Sequence, residues 1–335
     1  MNVIKQMNTY LDTAFPLDKP KWTTENEVVL QTEAIILRKF GKKFGRSTII
    51  VPPQAGHSSH IADYDVGQSI VETVLSERHG AVYCIEWLPA TQLRKYESIN
   101  DLLWQLNTVF EFVGGAPHLI GLCQGGWLSA MYAAVRPNKM SSLTCIAAPI
   151  DFHSGGGTIY DTVTKLGMLP YQFFVYSNDG LMSGANMLAG WKMMNFVDRY
   201  IIDYIKILGV LDDTEKIRKI KRFRTWYEYT QNLSGVWYLE AVENLFLKNL
   251  LIKKQIKFDG KVIDLSKIKC PVYAIAGQKD DITLTSHLFP LCDIVSSAHT
   301  SKVIIPGSGH VGCFMGTSSQ KYIGKSVVAL DKLSY

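Results

Sequence analysis

The 335-residue chain has no cysteine pair at CxxC spacing, which removes the zinc-ribbon and thioredoxin-type readings. Its six cysteines, Cys84, Cys123, Cys145, Cys270, Cys292 and Cys313, are widely scattered. Cys84, Cys145 and Cys270 lie in or beside strand-like apolar runs and read as small core residues. Free thiols fit a reducing compartment, so the cytoplasm is the expected location. No apolar run reaches the ~18 residues of a membrane span. The first residues lack the charged, apolar and small-residue segments of a signal peptide. The net charge of +5 is modest and not gathered in a tail, so it does not imply nucleic acid as a partner. There is no internal repeat and no low-complexity stretch. What is present is an apolar content of 47 %, enough for a sizeable core. The length fits two domains, or one large α/β domain with an insertion.

Apolar periodicity supplies the outline. Residues 1–22 read as an amphipathic helix (Val3, Ile4, Met7, Tyr10, Leu11) ending near Pro16 and packing on the domain. Val28 to Phe40 alternates as one strand, and 41–45 reads as a turn. Ser47 to Val51 is a short continuous apolar strand of the kind buried on both faces of a parallel sheet. Ile61 to Glu77 reads as a helix with Asp63 and Asp65 at its positive end. Ala81–Trp87 is a strand and Ile99–Val113 a helix, and alternation continues through Leu143–Phe152. The expected fold class is α/β, a mostly parallel, doubly wound sheet.

The alternation stops after Asp151. Residues 153–258 carry Met168, Tyr171, Phe173, Phe174, Met182, Met187, Trp191, Met193 and Met194 in helical text. Thioethers and aromatics in this position suit a lid over an apolar acyl pocket, or a plain helical layer over the sheet. The basic run 216–224 has Ile217, Ile220 and Phe223 at helical spacing and reads as a solvated helix face, with contact to phosphates as the alternative. Alternation resumes at Val262–Asp264, strands follow at Cys270–Gly277 and Lys302–Pro306, and a helix closes the chain over 319–333. The organisation is thus 1–46 (N-terminal helix and first strand), 47–152 (first part of the core sheet), 153–258 (helical lid) and 259–335 (second part).

The chemistry centres on His118-Leu119-Ile120-Gly121-Leu122-Cys123-Gln124-Gly125-Gly126. An apolar strand ends in Gly-x-Cys-x-Gly and a helical pattern follows at once, the setting of a nucleophile elbow with a thiol in place of the hydroxyl. A Cβ two residues before or after the central position would crowd such a turn. Cys123 is the candidate nucleophile, with a buried structural cysteine as the alternative. The loop Pro52-Pro53-Gln54-Ala55-Gly56-His57 follows the first core strand, where hydrolase folds place one oxyanion-hole amide. Gln54 or Ala55 is expected to present it, and Gln124 its partner. His57, Asp281 and Trp127 are candidate substrate contacts. His57 and His60 equally fit as loop residues bonding the backbone.

Carboxylates at Asp280 and Asp281 follow a later strand, and Gly309-His310 follows the last. Nucleophile, acid and histidine in this order form the α/β-hydrolase triad with Cys first. His310 would take the thiol proton and return it to the leaving group, while a carboxylate fixes the imidazole tautomer. Spacing alone leaves Asp280 and Asp281 open. A thiolate exchanges readily with a thioester, so the cysteine leans toward acyl transfer from coenzyme A or a carrier protein without excluding hydrolysis.

Gly121-Leu122-Cys123-Gln124-Gly125-Gly126, Ala147-Ala148-Pro149-Ile150-Asp151-Phe152, Asp280-Asp281-Ile282 and Gly309-His310-Val311-Gly312 together resemble polyhydroxyalkanoate synthases, from about Ser47 to the end. The loop 52–57 looks more like the related intracellular depolymerases, whose elbow lacks the double glycine. The resemblance implies an α/β-hydrolase fold, a Cys–Asp–His triad and hydroxyacyl-CoA substrates, with the polyester carried on the cysteine. Matching the family pattern onto 279–283 puts the catalytic carboxylate at Asp280. It also implies a second synthase-type subunit or a homodimer. Neither cofactor nor metal is expected, because the thioester or polyester is the substrate. Two other readings remain: a cysteine thioesterase or depolymerase, and a non-catalytic binding protein of the same fold.

Overall fold

The protein is described by a computed structural model over residues 3–42, 45–77 and 80–333. Eight strands form its central sheet. They are β1 (Asn26–Gln31), β2 (Ile35–Phe40), β3 (Thr48–Val51), β4 (Val82–Trp87), β5 (His118–Leu122), β6 (Ser142–Ile146), β7 (Val272–Gly277) and β8 (Thr300–Ile305). Their order across the sheet is β1-β2-β4-β3-β5-β6-β7-β8. The β1–β2 and β2–β4 pairs are antiparallel and the others parallel. The central strands β3, β5 and β6 are buried at every position, as a sheet covered on both faces requires. Ile49 and Val51 belong to one core cluster and Ile50 to the other, so side-chain alternation feeds two cores. The sheet is doubly wound, as expected.

The helix over Ile99–Val113 matches its expected span and starts at a capping box, Ser98 with Asp101. Three expectations need correction. Val28–Phe40 is a hairpin rather than one strand, because Thr32 Oγ1 accepts from the Ala34 and Ile35 amides and turns the chain. The hydrophobic alternation runs through that turn and hides it. Ile61–Glu77 is a helix only over Ile70–Glu77. Its first part is a 3-10 turn, Ser59–Ala62, followed by the short pair Asp63–Asp65 and Gln68–Ser69. There the Asp63 carboxylate is fully buried and accepts from the Thr23 and Thr24 amides, Thr24 Oγ1 and Ser69 Oγ, so it organises a loop and caps no helix.

The third correction concerns the N-terminal helix and the basic run. The helix α1 (Val3–Ala14) rests on the later helices by its C-terminal end, where Thr13 and Ala14 are buried, while Val3, Ile4, Met7 and Leu11 stay exposed. The basic run lies on a helix over Thr214–Glu228, but it is no plain solvated face. Arg224 is buried and its Nε donates to Ala14 O at 2.9 Å. Arg222 binds Tyr64 O and Thr23 Oγ1, Arg218 binds Asp65, and Lys221 pairs with Asp12. Lys221, Arg222 and Arg224 thereby strap the N-terminal segment onto the body, while Arg218 and Arg222 hold the 64–65 loop. Lys43 and Phe44 of the expected 41–45 turn lie outside the described residues.

Between β6 and β7 the chain is mainly helical, including Thr158–Leu166, Leu169–Tyr176, Gly184–Met194, Asp203–Leu208, Thr214–Glu228 and Gly235–Glu240. Met182 is buried, whereas Leu169, Phe173 and Met193 are exposed, so the apolar text of this insertion faces both ways. Among the described residues no helix is long and apolar enough to cross a membrane.

Candidate active site

Strand β5 ends at Leu122, and the helix Gln124–Val135 begins two residues later. Cys123 makes the connection with φ 49° and ψ −115°, a left-handed conformation that costs a non-glycine residue energy. Two glycines permit it. A Cβ on Gly125 would sit 2.0 Å from Val51 O, and one on Gly121 2.5 Å from Gly125 O and Gly126 Cα. The elbow is therefore wedged against the end of β3 and into its own helix start. Cys123 is partly exposed there, and all six cysteines are free.

The structure brings Cys123, His310 and Asp280 together. His310 Nε2 lies 3.2 Å from Cys123 Sγ, and its Nδ1 lies 2.9 Å from Asp280 Oδ2. The Asp280 side chain is fully buried, and its other oxygen accepts from the Ile282 and Thr283 amides at 3.0 and 2.8 Å. One oxygen is thereby fixed by the backbone and the other aimed at the imidazole. Burial works against a charged His310. The Cys123 sulfur and the Asp280 carboxylate outweigh it and raise the imidazole to about 10. Asp281, by contrast, is exposed, which resolves the choice that spacing left open in favour of Asp280 as the partner of His310.

The loop before the elbow behaves differently from its sequence reading. The Gln54 N–H donates to the Gln124 side-chain Oε1 at 2.8 Å, so that amide already has an acceptor. The backbone amides of Ala55 and Gln124 carry no such bond among the described residues. His57 stacks against both Trp226 and Tyr227, at ring distances of 4.9 and 5.2 Å, and its Nε2–H donates to Tyr227 O. Burial lowers its pKa to about 4, keeping it neutral. The loop is further sewn to the insertion by Gln231 N to Gly56 O, Trp226 Nε1 to Ser58 O and Trp191 Nε1 to Ala55 O. His57 is a fastening between loop and insertion. His60 is buried against Ser58 Oγ and Trp22. Trp127 is 2 % exposed within the main core cluster, a placement that gives it a packing role. Among the described residues no group of His, Cys, Asp or Glu is arranged to hold a metal ion.

Sequence reasoning missed the Gln54–Gln124 bond and the three amide atoms around it. Gln54 Nε2, Gln54 Oε1 and Gln124 Nε2 are buried without a partner among the described residues. A glutamine directly after the nucleophile position was the only available signal.

Strand order, elbow and the three converging side chains define an α/β-hydrolase fold, and solved structures agree. The chain is similar to the Paleococcus ferrophilus monoacylglycerol lipase, at a TM-score of 0.56 and 15 % identity, covering 89 % of this chain and 98 % of that one. It is similarly close to mouse alpha/beta hydrolase domain-containing protein 10, at 0.55 and 15 %, covering 92 % and 100 %. Residues 39–319 match the family described as "Protein of unknown function (DUF3141)", and the chain belongs to that family. Curated relatives are named poly(3-hydroxyalkanoate) polymerase subunit PhaC. The Haloferax mediterranei protein is 24 % identical over 88 % of this chain and 61 % of its own length. The Haloarcula marismortui protein is 25 % identical over 78 % and 55 %, so the chain spans less than two thirds of these two relatives. The Thiocystis violacea subunit is 21 % identical over 90 % of this chain and 86 % of its own. The resemblance to polyhydroxyalkanoate synthases expected from the motifs is therefore present across most of the chain.

Proposed function

We propose that the protein is a cysteine acyltransferase resembling polyhydroxyalkanoate synthases, acting on a (hydroxy)acyl thioester of coenzyme A or a carrier protein. The observation that carries this reading is the 3.2 Å approach of His310 Nε2 to Cys123 Sγ, with Asp280 behind it. Cys123 sulfur attacks the thioester carbonyl, the C–S bond to the donor breaks, and the donor thiol leaves with the proton held by His310. The acyl group then rests on Cys123 until an acceptor hydroxyl gives its proton to His310 and takes the acyl carbon. Asp280 keeps the imidazole in the required tautomer and stabilises its charged form. The amides of Gln124 and Ala55 are the donors for the oxyanion, since the Gln54 amide is engaged. The names of the relatives support a hydroxyacyl donor and a second subunit or second copy as partner.

The alternative is hydrolysis, with water as the acceptor. Its support is the fold shared with a lipase, which fixes no acceptor. Wild type and Cys123→Ala incubated with 3-hydroxybutyryl-CoA separate the two. Oligomeric ester, or acyl groups retained on Cys123, is the expected result. Free hydroxy acid from wild type alone would overturn transfer in favour of a thioesterase. Equal turnover by Cys123→Ala would remove the cysteine mechanism altogether.

A further inference from the structure

The helical insertion holds a second concentration of charge, away from the elbow. A cavity of about 280 Å³ is lined by five cations, Lys192, Arg199, Lys206, Lys219 and Arg224. Only two carboxylates, Asp203 and Glu228, line it with them. Glu228 is shared by Lys192 Nζ, at 2.8 and 2.9 Å, and Arg224 Nη2, at 3.0 Å. Asp203 is shared by Arg199 Nη1 at 3.0 Å and Lys206 Nζ at 3.5 Å. Lys219 reaches a third carboxylate, Glu215, at 3.4 Å. Each lining carboxylate therefore serves two cations, which leaves an excess of positive charge around the cavity.

Two of the five cations are held away from water, whereas Arg199 is half-buried and Lys206 and Lys219 are exposed. Lys192 and Arg224 are 7 % and 6 % exposed. Aromatic rings flank three of the cations. The Arg224 guanidinium lies 4.3 Å from the Tyr204 ring centre, Arg199 lies 5.8 Å from that of Tyr227, and Lys192 lies 5.5 Å from that of Tyr200. Burying two cations against one carboxylate is costly unless an anion completes the set. The volume falls below the ~300–1,000 Å³ of pockets that enclose a drug-sized ligand, so it suits one charged group of a larger molecule. Tyr227, which lines the cavity, also stacks on His57 of the loop that reaches Gln124. The cavity thus adjoins the same aromatic layer that fastens the oxyanion loop.

We propose that this cavity binds a phosphate or diphosphate group, and that the group belongs to coenzyme A. The choice of coenzyme A rests on the thioester reading given above; the anion site does not. Guanidinium groups suit phosphate oxygens through paired hydrogen bonds, and the ammonium groups of Lys192 and Lys206 add charge without directional demand.

The test is calorimetric titration of inorganic pyrophosphate into Cys123→Ala protein, which makes the result independent of acyl chemistry. Saturable binding that weakens with added salt is expected. The double variant Arg199→Gln/Lys206→Gln should bind about tenfold more weakly or worse. Asp203→Asn should bind more tightly, a gain that misfolding cannot mimic. Absence of pyrophosphate binding, or the same affinity in both variants, would overturn the site even if acyl-Cys123 forms normally. Competition then identifies the source. Displacement of pyrophosphate by coenzyme A supports the assignment. Displacement by phosphatidylglycerol vesicles but not by coenzyme A overturns it and makes the ligand a lipid headgroup.

Discussion

Gln124 Oε1 accepts the Gln54 N–H at 2.8 Å, so the residue after the nucleophile position also anchors the loop facing it. The two residues lie 70 positions apart, and both are nearly buried. The bond takes one amide out of service and holds the next, that of Ala55, in a fixed loop. It also leaves side-chain amide atoms of the two glutamines, Gln54 Nε2, Gln54 Oε1 and Gln124 Nε2, buried without partners among the described residues. Buried and unpaired, such groups cost about 1–3 kcal/mol each, a cost that a polar substrate group can offset.

Replacing Gln124 with leucine should therefore do two things. The Gln54 amide loses its acceptor, so stability falls by about 1–3 kcal/mol in denaturant titration. The loop loses its anchor, and turnover falls by about 10–100-fold with the cysteine still alkylated by iodoacetamide. Unchanged turnover would mean that the loop is held by its bonds to the insertion alone.

Asp280→Asn should lower turnover by about 10³–10⁴, because the amide no longer enforces the imidazole tautomer that His310 needs. Asp281→Asn should leave turnover within about twofold, since Asp281 is exposed. Steady-state kinetics on the two variants checks the assignment. The reverse ranking would move the carboxylate role to Asp281.

The His310 imidazole is raised to about 10, against its own burial, by Cys123 and Asp280. Its stabilising contribution is fully present below the ordinary histidine value near 6.5 and is lost as pH rises through about 10. Cys123→Ala removes one of the two raising partners, so the pKa followed by NMR should fall in that variant. A pKa that stays at about 10 would leave Asp280 as the sole cause.

His57 and His60 behave in the opposite sense. Burial lowers both to about 4, so the folded state holds them neutral. Their contribution is present above about 6.5 and is lost as pH falls toward 4, at up to roughly 1.4 kcal/mol per pH unit for each group. Unfolding free energy measured between pH 7 and pH 4 should drop steeply, and His57→Gln should flatten the slope by about one proton. An equal slope in that variant would show that His57 is not buried neutral.

Gly125→Ala tests the elbow itself. Its Cβ would stand 2.0 Å from Val51 O and 2.8 Å from Pro52 O, both backbone atoms that cannot step aside. The expected outcome is loss of soluble protein, or a fold destabilised by more than about 3 kcal/mol. Soluble, fully active protein would require β3 to end elsewhere.

What the sequence determined by itself is local or ordered along the chain. Strand, glycine, cysteine and helix follow one another within a dozen residues, so the turn at Cys123 is legible without any partner. The order Cys123, Asp280, His310 is legible too, because parallel strands deliver their carboxyl ends, and the loops after them, to one edge of the sheet. The capped helix over Ile99–Val113 carries its own start signal at Ser98. What only the tertiary structure decided depends on segments far apart in the chain. The Thr32 turn is set by one hydroxyl inside an unbroken alternation, and periodicity cannot see it. His57 meets Tyr227 across 170 positions, and Arg224 meets Ala14 across 210, where no spacing rule reaches. Asp280 and Asp281 are adjacent, yet one is buried on His310 and the other exposed, because the loop after β7 turns only one of them inward. Composition and periodicity record which face of a segment is apolar. Which buried polar group answers another is settled only when the insertion closes on the loop before the elbow.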